Sequence, residues 1–214
     1  MIDIGPNWAA LGIANRARRR LHDFCMNRVH HWICRSSWWK KFLALDLIPW
    51  ALDGAAWGGR VLEIGPGPGL ATAVLAPAAQ SLICLEVDAR LAAALHEKNR
   101  RGNVRVLCGD ATAMALDSGS FDSVLAFTML HHVTPAAAQD SLFREAARVL
   151  RPGGLFAGTD SLDSSVFRML HWFDNLELVR PETLRQRLSA AGFERAEVEI
   201  RKREFRFRAW RAAA

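Results

Sequence analysis

Long apolar runs are missing from this 214-residue chain: no stretch of 18 uncharged apolar residues occurs, so no membrane-spanning helix is expected. Paired cysteine spacings are missing too. Cys25, Cys34, Cys84 and Cys108 are scattered, which argues against a disulfide framework and for a reducing, cytoplasmic compartment. The opening stretch "MIDIGPNWAALGIANRARRR" carries its positive charge after the weak apolar segment, the wrong order for a secretory leader. There is no internal repeat and no low-complexity tract. The cluster of Cys25, His30, His31 and Cys34 contains no C-x₂-C pair and would spread too widely on a helix for one tetrahedral site, so no metal is expected. The most informative gap is one of charge: no lysine or arginine lies between Arg60 and Arg90.

What is present is a chain with 50% hydrophobic residues, enough to build a core at this length. Its net charge of +6 is uneven. Residues 1–60 hold nine Lys/Arg against four Asp/Glu, residues 61–160 eight against ten, and residues 161–214 eleven against eight. Basic flanks around a mildly acidic centre suit an anionic partner or an arginine-rich solvated surface. Residues 1–59 also hold six of the eight tryptophans and read as two helices with bulky faces, an amino-terminal helical extension or cap. Residues 60–214 read as one domain.

That domain alternates short apolar runs with helical patterns. "RVLEIG", "SLICLEV", "NVRVLCGD", "FDSVLAFTML" and "LFAGTD" read as strands, the last preceded by a turn at "RPGG". Between them, "LATAVLAPAA" is a helix that Pro77 ends, "DARLAAALHEKNR" a helix capped by Asp88, and "PAAAQDSLFREAARVL" a helix opened by Pro135. "PETLRQRLSAAGF" is a further helix, and "RAEVEIRKREFRFRAWR" alternates as a closing antiparallel hairpin. Alternating strands and helices imply a mostly parallel sheet covered on both faces, with ligands held beyond the carboxyl ends of its strands.

The charge gap contains "VLEIGPGPGL", a strand running into three glycines. A P-loop needs a lysine and a Ser/Thr after the last glycine, and a dinucleotide fingerprint needs G-x-G-x-x-G; Leu70 and Ala71 stand there instead. Glu63 and Glu86 lie at the ends of the first two strands, so the pocket suits a ligand with little negative charge or with positive charge.

"VLEIGPGPG", "LEVD", "GDAT", "FDSVLAFTMLHHV" and "LRPGG", in that order over about residues 60–160, resemble the class I S-adenosylmethionine-dependent methyltransferases, and especially the small-molecule group that includes the ubiquinone and menaquinone biosynthesis enzymes. The resemblance implies an α/β, Rossmann-like, seven-stranded sheet with the last strand antiparallel. It implies a cofactor site for S-adenosyl-L-methionine at Glu63, Gly65, Pro66, Gly67, Gly69, Glu86, Val87, Asp110, Ala111, Phe127 and Thr128. Gly65 to Gly69 would admit the cofactor close to backbone. Glu63 would serve its ammonium end. Glu86, 21 positions after Gly65, would accept from both ribose hydroxyls, and Asp110 from the adenine amino group. Each acid has a plainer alternative: Glu63 capping the turn, Glu86 pairing with Arg90, Asp110 capping a turn of its own.

Methyl transfer needs alignment and dryness, and a base only where the acceptor carries a proton that must leave. His131 and His132, after the fourth strand, are the candidate catalytic residues, as base or as pocket lining. Phe127 can flank the sulfonium or simply pack in the core. Trp38, His171 and Trp172 are candidate substrate residues, because apolar stretches around them would roof a hydrophobic or aromatic acceptor or form a satellite core. The expected function is methyl transfer to a small molecule. A peripheral membrane enzyme touching lipid through residues 16–43, an RNA or protein methyltransferase and a non-catalytic cofactor binder are the alternatives. Nucleic acid is disfavoured: "FTMLHH" replaces the Asn/Asp-Pro-Pro-aromatic signature, and no aromatic–basic RNA module is found.

Overall fold

The structure, a computed structural model, describes residues 36–170, 172 and 175–213. The Cys25, His30, His31 and Cys34 cluster, most of the 16–43 stretch and His171 lie outside them. Seven strands form one sheet: β1 Arg60–Ile64, β2 Ser81–Glu86, β3 Val104–Cys108, β4 Phe121–Phe127, β5 Leu150–Ser161, β6 Phe193–Arg201 and β7 Glu204–Arg211. Their spatial order is β3-β2-β1-β4-β5-β7-β6. The first five run parallel, and β7 is antiparallel to both β5 and β6. The expected architecture, with its antiparallel last strand, is therefore present.

β1 shows how the sheet is covered on both faces. Successive side chains on a strand point to opposite sides. Leu62 and Ile64 join one core, with β5's Phe156 and the hairpin's Phe205 and Phe207. Val61 joins the other, with Cys84, Leu125 and Ala157. Around the sheet lie α1 Ser37–Phe42, α2 Ile48–Leu52, α3 Leu70–Leu75, α4 Ala89–Lys98, α5 Ala136–Val149, α6 Ser165–Leu170 and α7 Pro181–Ala190. Asp88 caps α4 as expected, its Oδ1 accepting from the amides of Arg90 and Leu91.

α1 and α2 are joined by a π turn, Leu43–Leu47, just ahead of Pro49. Proline offers no N–H to the preceding turn, which gives the ladder a reason to widen there. Leu43, Leu47, Ile48, Ala51 and Leu52 of this helical run are all buried in the second core. Each fully buried Leu or Ile contributes roughly 2 kcal/mol. The described part of the amino-terminal segment is thus packed into the sheet's own core.

One local expectation fails. The "RPGG" stretch is no turn between elements but part of β5. Leu150 pairs with Phe121, and pairing resumes at Leu155 with Ser123, so the extra residues bulge out. Arg151 on the bulge is held by Asp122 at 2.8 Å.

The chain leaves β1 toward β2 and later returns to β4 on the other side. The switch point therefore lies between the carboxyl ends of β1 and β4.

Candidate active site

Two turns meet at that switch point. After β1 comes the glycine turn, with Pro66 buried and its carbonyl accepting from the Gly69 amide at 2.9 Å. After β4 comes a segment that passes through Thr128, with φ of 50°, into the short 3₁₀ helix Leu130–His132. A Cβ placed on Gly65 would lie 3.0 Å from the Met129 side chain, so the two turns are in contact.

Glu86 ends β2 and is 5% exposed. Its Oε2 accepts from the Gly67 amide at 2.9 Å and its Oε1 from the Asp88 amide at 3.0 Å. Burial raises its pKa, and the two amides act in the opposite direction. The side chain is therefore tied to the glycine turn by backbone and does not rely on Arg90, whose own amide bonds to Asp88. Gly67 has φ of +53°, and a Cβ there would meet no atom within 4 Å. Open space thus lies beside the turn at Gly67.

Glu63 faces elsewhere. It is 1% exposed, and its Oε2 accepts from the Thr72 hydroxyl at 2.6 Å and from the Cys84 thiol at 3.3 Å. Burial pushes its pKa up to about 7 and drives that of Cys84 upward as well. The side chain ties the end of β1 to α3 and β2.

Asp110 follows β3, and its Oδ1 accepts from both the amide and the hydroxyl of Thr112, each at 2.8 Å. It caps its own turn and remains exposed. Ala111 packs on the first core, and Val87 is half-buried with its carbonyl accepting from Cys108. This loop is held from below by α5. Glu145 accepts from the Met114 amide at 2.6 Å, while Arg148 donates to the carbonyls of Met114 at 2.9 Å and Leu116 at 2.8 Å.

On the β4 side, His131 is buried. Its Nδ1 lies 2.5 Å from Oδ1 of Asp160 at the end of β5, and its amide donates to Oδ2 of the same carboxylate at 3.0 Å. The His132 ring is 4.2 Å from it, and Phe167 of α6 meets it edge-on at 5.1 Å. Phe127 packs in the second core.

Residues 62–158 match the family described as "Methyltransferase domain". A demethylmenaquinone methyltransferase from Beutenbergia cavernae is 37% identical over 101 residues, 47% of this chain and 40% of that protein. A ribosomal RNA small subunit methyltransferase A from a Nostoc species is 39% identical over 87 residues, covering 39% of this chain and 32% of the relative. The chain thus spans less than half the length of these curated relatives. The crystal structure of the CurJ carbon methyltransferase superposes with a TM-score of 0.67 at 18% identity, over 86% of this chain and 57% of that one; at that identity the likeness is one of fold.

Residues 62–158 are a class I S-adenosylmethionine-dependent methyltransferase domain.

The sequence-predicted residues are not all brought to one place. Gly65, Pro66, Gly67, Gly69 and Glu86 meet at the switch point, with Thr128 entering beside them. Asp110 and Ala111 sit one strand further out on the loop after β3. Trp38 and Trp172 are exposed, Trp38 stacking on Phe42 at 5.9 Å. Sequence reading missed Asp160, the Thr72 and Cys84 partners of Glu63, and the Glu145–Arg148 clamp. Asp160 had a faint signal, an acid closing an apolar run at the carboxyl end of a strand. The others had none, since only the folded sheet brings residues nine to 34 positions apart together.

The cofactor of the family fits the residues present. A carboxylate accepts at about four positions. Glu86 accepts from the Gly67 and Asp88 amides, and its carboxylate keeps acceptor capacity for ribose hydroxyl. Among the described residues no helix is long and apolar enough to cross a membrane, and no group of three or more His, Cys, Asp or Glu is placed to hold a metal ion.

Proposed function

We propose that this chain transfers a methyl group from S-adenosylmethionine to a small, hydrophobic or aromatic acceptor. The observation that carries the reading is the bond from the Gly67 amide to Glu86, which joins the glycine turn of β1 to the acid of β2, with open space beside Gly67. Bound there, the cofactor supplies a methyl carbon already activated by a sulfonium. Glu86 would hold the ribose, with Asp110, Ala111 and Val87 along the adenine. Glu63, sealed under α3, would act on the ammonium end through the turn it braces rather than by contact. His131 and His132, on the segment that touches Gly65 through Met129, would border the acceptor. The protein's part is to align the two reactants and keep water out.

Several features favour a small acceptor. The motifs that carry the resemblance are those of the small-molecule group, and the segment after β5 is apolar, with Phe167 buried against His131. Names among the relatives include demethylmenaquinone, ribosomal RNA and protein-L-isoaspartate methyltransferases.

Calorimetry with S-adenosylhomocysteine tests the cofactor half. The intact chain is expected to bind it, and Glu86→Ala and Gly67→Val each to lose at least ten-fold in affinity. Glu86→Ala removes the ribose acceptor. Gly67→Val fills the open space and forces a β-branched residue to positive φ. Unchanged affinity in both variants overturns the site. A filter assay with labelled methyl donor, run against extracted small molecules and against RNA, tests the acceptor half; label appearing only in RNA overturns it.

A further inference from the structure

Three contacts fix how the helical run from α1 to α2 lies against the sheet. Asp46 pairs with Arg201, at the tip of the closing hairpin, at 2.6 Å; the Trp50 carbonyl accepts from Arg206 and the Asp53 carbonyl from Arg208. Along β7 those arginines lead away from the carboxyl end of β5, where Ser161 pairs with Glu204. The run therefore descends from the carboxyl edge of the sheet, and α1, which precedes Asp46, stands beyond that edge. At about 1.5 Å per residue, Trp38 lies about 12 Å further out than Asp46.

This edge is apolar and basic at once. Trp38, Leu45, Ile200 and Met169 are 55% to 78% exposed. Trp38 stacks on Phe42, and Leu45 and Ile200 adjoin the Asp46–Arg201 pair. Met169 belongs to α6, whose Phe167 meets His131 after β4. Apart from Trp172, which follows α6, no other large apolar side chain is exposed among the described residues. Lys40, Lys41, Lys202 and Arg203 are exposed on the same elements. Asp46 and Glu204 pair with Arg201, and Asp163 with Arg168, while none of those four cations has an acid partner among the described residues. The sequence leading into α1 has the same character: residues 16–41 hold eight Lys/Arg against one Asp/Glu.

We infer that this edge docks on a bilayer surface rich in anionic phospholipid. Trp38 and Leu45 enter the headgroup layer, and the four cations meet lipid phosphate. Basic residues within a Debye length of such a surface are drawn to it, and tryptophan and leucine then gain by leaving water at headgroup depth. A nucleic-acid backbone would answer the cations but offer nothing to Leu45, Ile200 and Met169; a bilayer answers both. Ligands of such a sheet bind beyond the same edge, so docking turns the mouth of the site toward lipid. Association of this kind does not depend on which acceptor is methylated.

The test is flotation of the full chain with vesicles of phosphatidylcholine alone and of phosphatidylcholine mixed with phosphatidylglycerol. Partition should be at least about ten-fold greater on the mixed vesicles and should fall as salt rises. The double variant Trp38→Ser/Leu45→Ser should lose at least about ten-fold on the mixed vesicles. The variant Lys40→Gln/Lys41→Gln/Lys202→Asn/Arg203→Gln should lose about as much and show a shallower salt dependence; asparagine suits position 202, where φ is 51°. Melting temperatures matching the unaltered chain show that both variants fold, as substitutions at exposed positions should. No flotation on mixed vesicles, or flotation unchanged in either variant, overturns the inference. Tighter binding to double-stranded RNA or to polyglutamate than to mixed vesicles also overturns it, and assigns the edge to nucleic acid or to an acidic protein. S-adenosylhomocysteine calorimetry on the same samples keeps the two readings apart: its failure strikes the cofactor site and leaves the docking surface standing.

Discussion

The Thr72 hydroxyl donates to Oε2 of Glu63 across 2.6 Å, in the interior between β1, β2 and α3. The acid of the "VLEIG" motif is thus a buried brace for the turn that follows it. Its ordinary pKa of 4.5 is raised to about 7, first by burial, with the Thr72 and Cys84 donors acting in the opposite direction.

The sign of the resulting pH dependence follows from proton counts. Between pH 4.5 and about 7 the folded chain holds the Glu63 proton more tightly than the unfolded chain. Stability therefore falls as pH rises through that window and levels off above it, by on the order of 3 kcal/mol from this group. Glu63→Gln removes the ionisation and keeps the shape. Its melting temperature is expected to exceed that of the unaltered chain at pH 8 and to match it near pH 4.5; thermal melts at both values check this.

Arg148 and Glu145 close the loop after β3 from beneath, and Arg148 also donates to Ser118 at 3.1 Å. Arg148→Met keeps the stem but strands the carbonyls of Met114 and Leu116. A loss of about 1–3 kcal/mol in stability is expected. Amide exchange at residues 110–117 should quicken more than in the sheet, and S-adenosylhomocysteine affinity should fall through the adenine side. Hydrogen-exchange mass spectrometry reads the first effect and calorimetry the second. Exchange unchanged in that loop would remove the clamp from the account.

Gly158 lies in mid-β5, paired with Ala126 on one side and Phe207 on the other. A Cβ there would fall 1.8 Å from the Ala126 carbonyl oxygen, which belongs to the neighbouring strand and cannot turn away. Gly158→Ala should cost about 3 kcal/mol or more, or prevent folding, because the strands must separate to admit one methyl group. Denaturant titration measures the loss. A stable variant would mean that β4 and β5 slide more freely than a packed sheet allows.

The fold was largely legible because its signals are local. Apolar runs of five to seven residues mark β1 to β4. Asp88 and Pro135 mark the starts of α4 and α5, and the alternating closing run marks the hairpin. The error at "RPGG" has a local cause too: the dipeptides of a turn and of a bulge are the same. Glycine turn and Glu86 were readable together because a βαβ unit sets their separation.

The sequence by itself determined the order of elements, the glycine turn and the lack of Lys or Arg between Arg60 and Arg90, since periodicity, turn chemistry and charge along the chain are properties of neighbouring residues; the fold nevertheless brings Lys98 to the turn, its Nζ donating to the Pro68 carbonyl at 3.2 Å. Only the tertiary structure decided that Glu63 braces the turn through Thr72 and Cys84 while Glu86 bonds the Gly67 amide of the turn itself, because their directions depend on which face of the sheet each strand position meets. It alone paired His131 with Asp160, 29 positions apart, because β4 and β5 lie side by side only once the intervening helix has folded back.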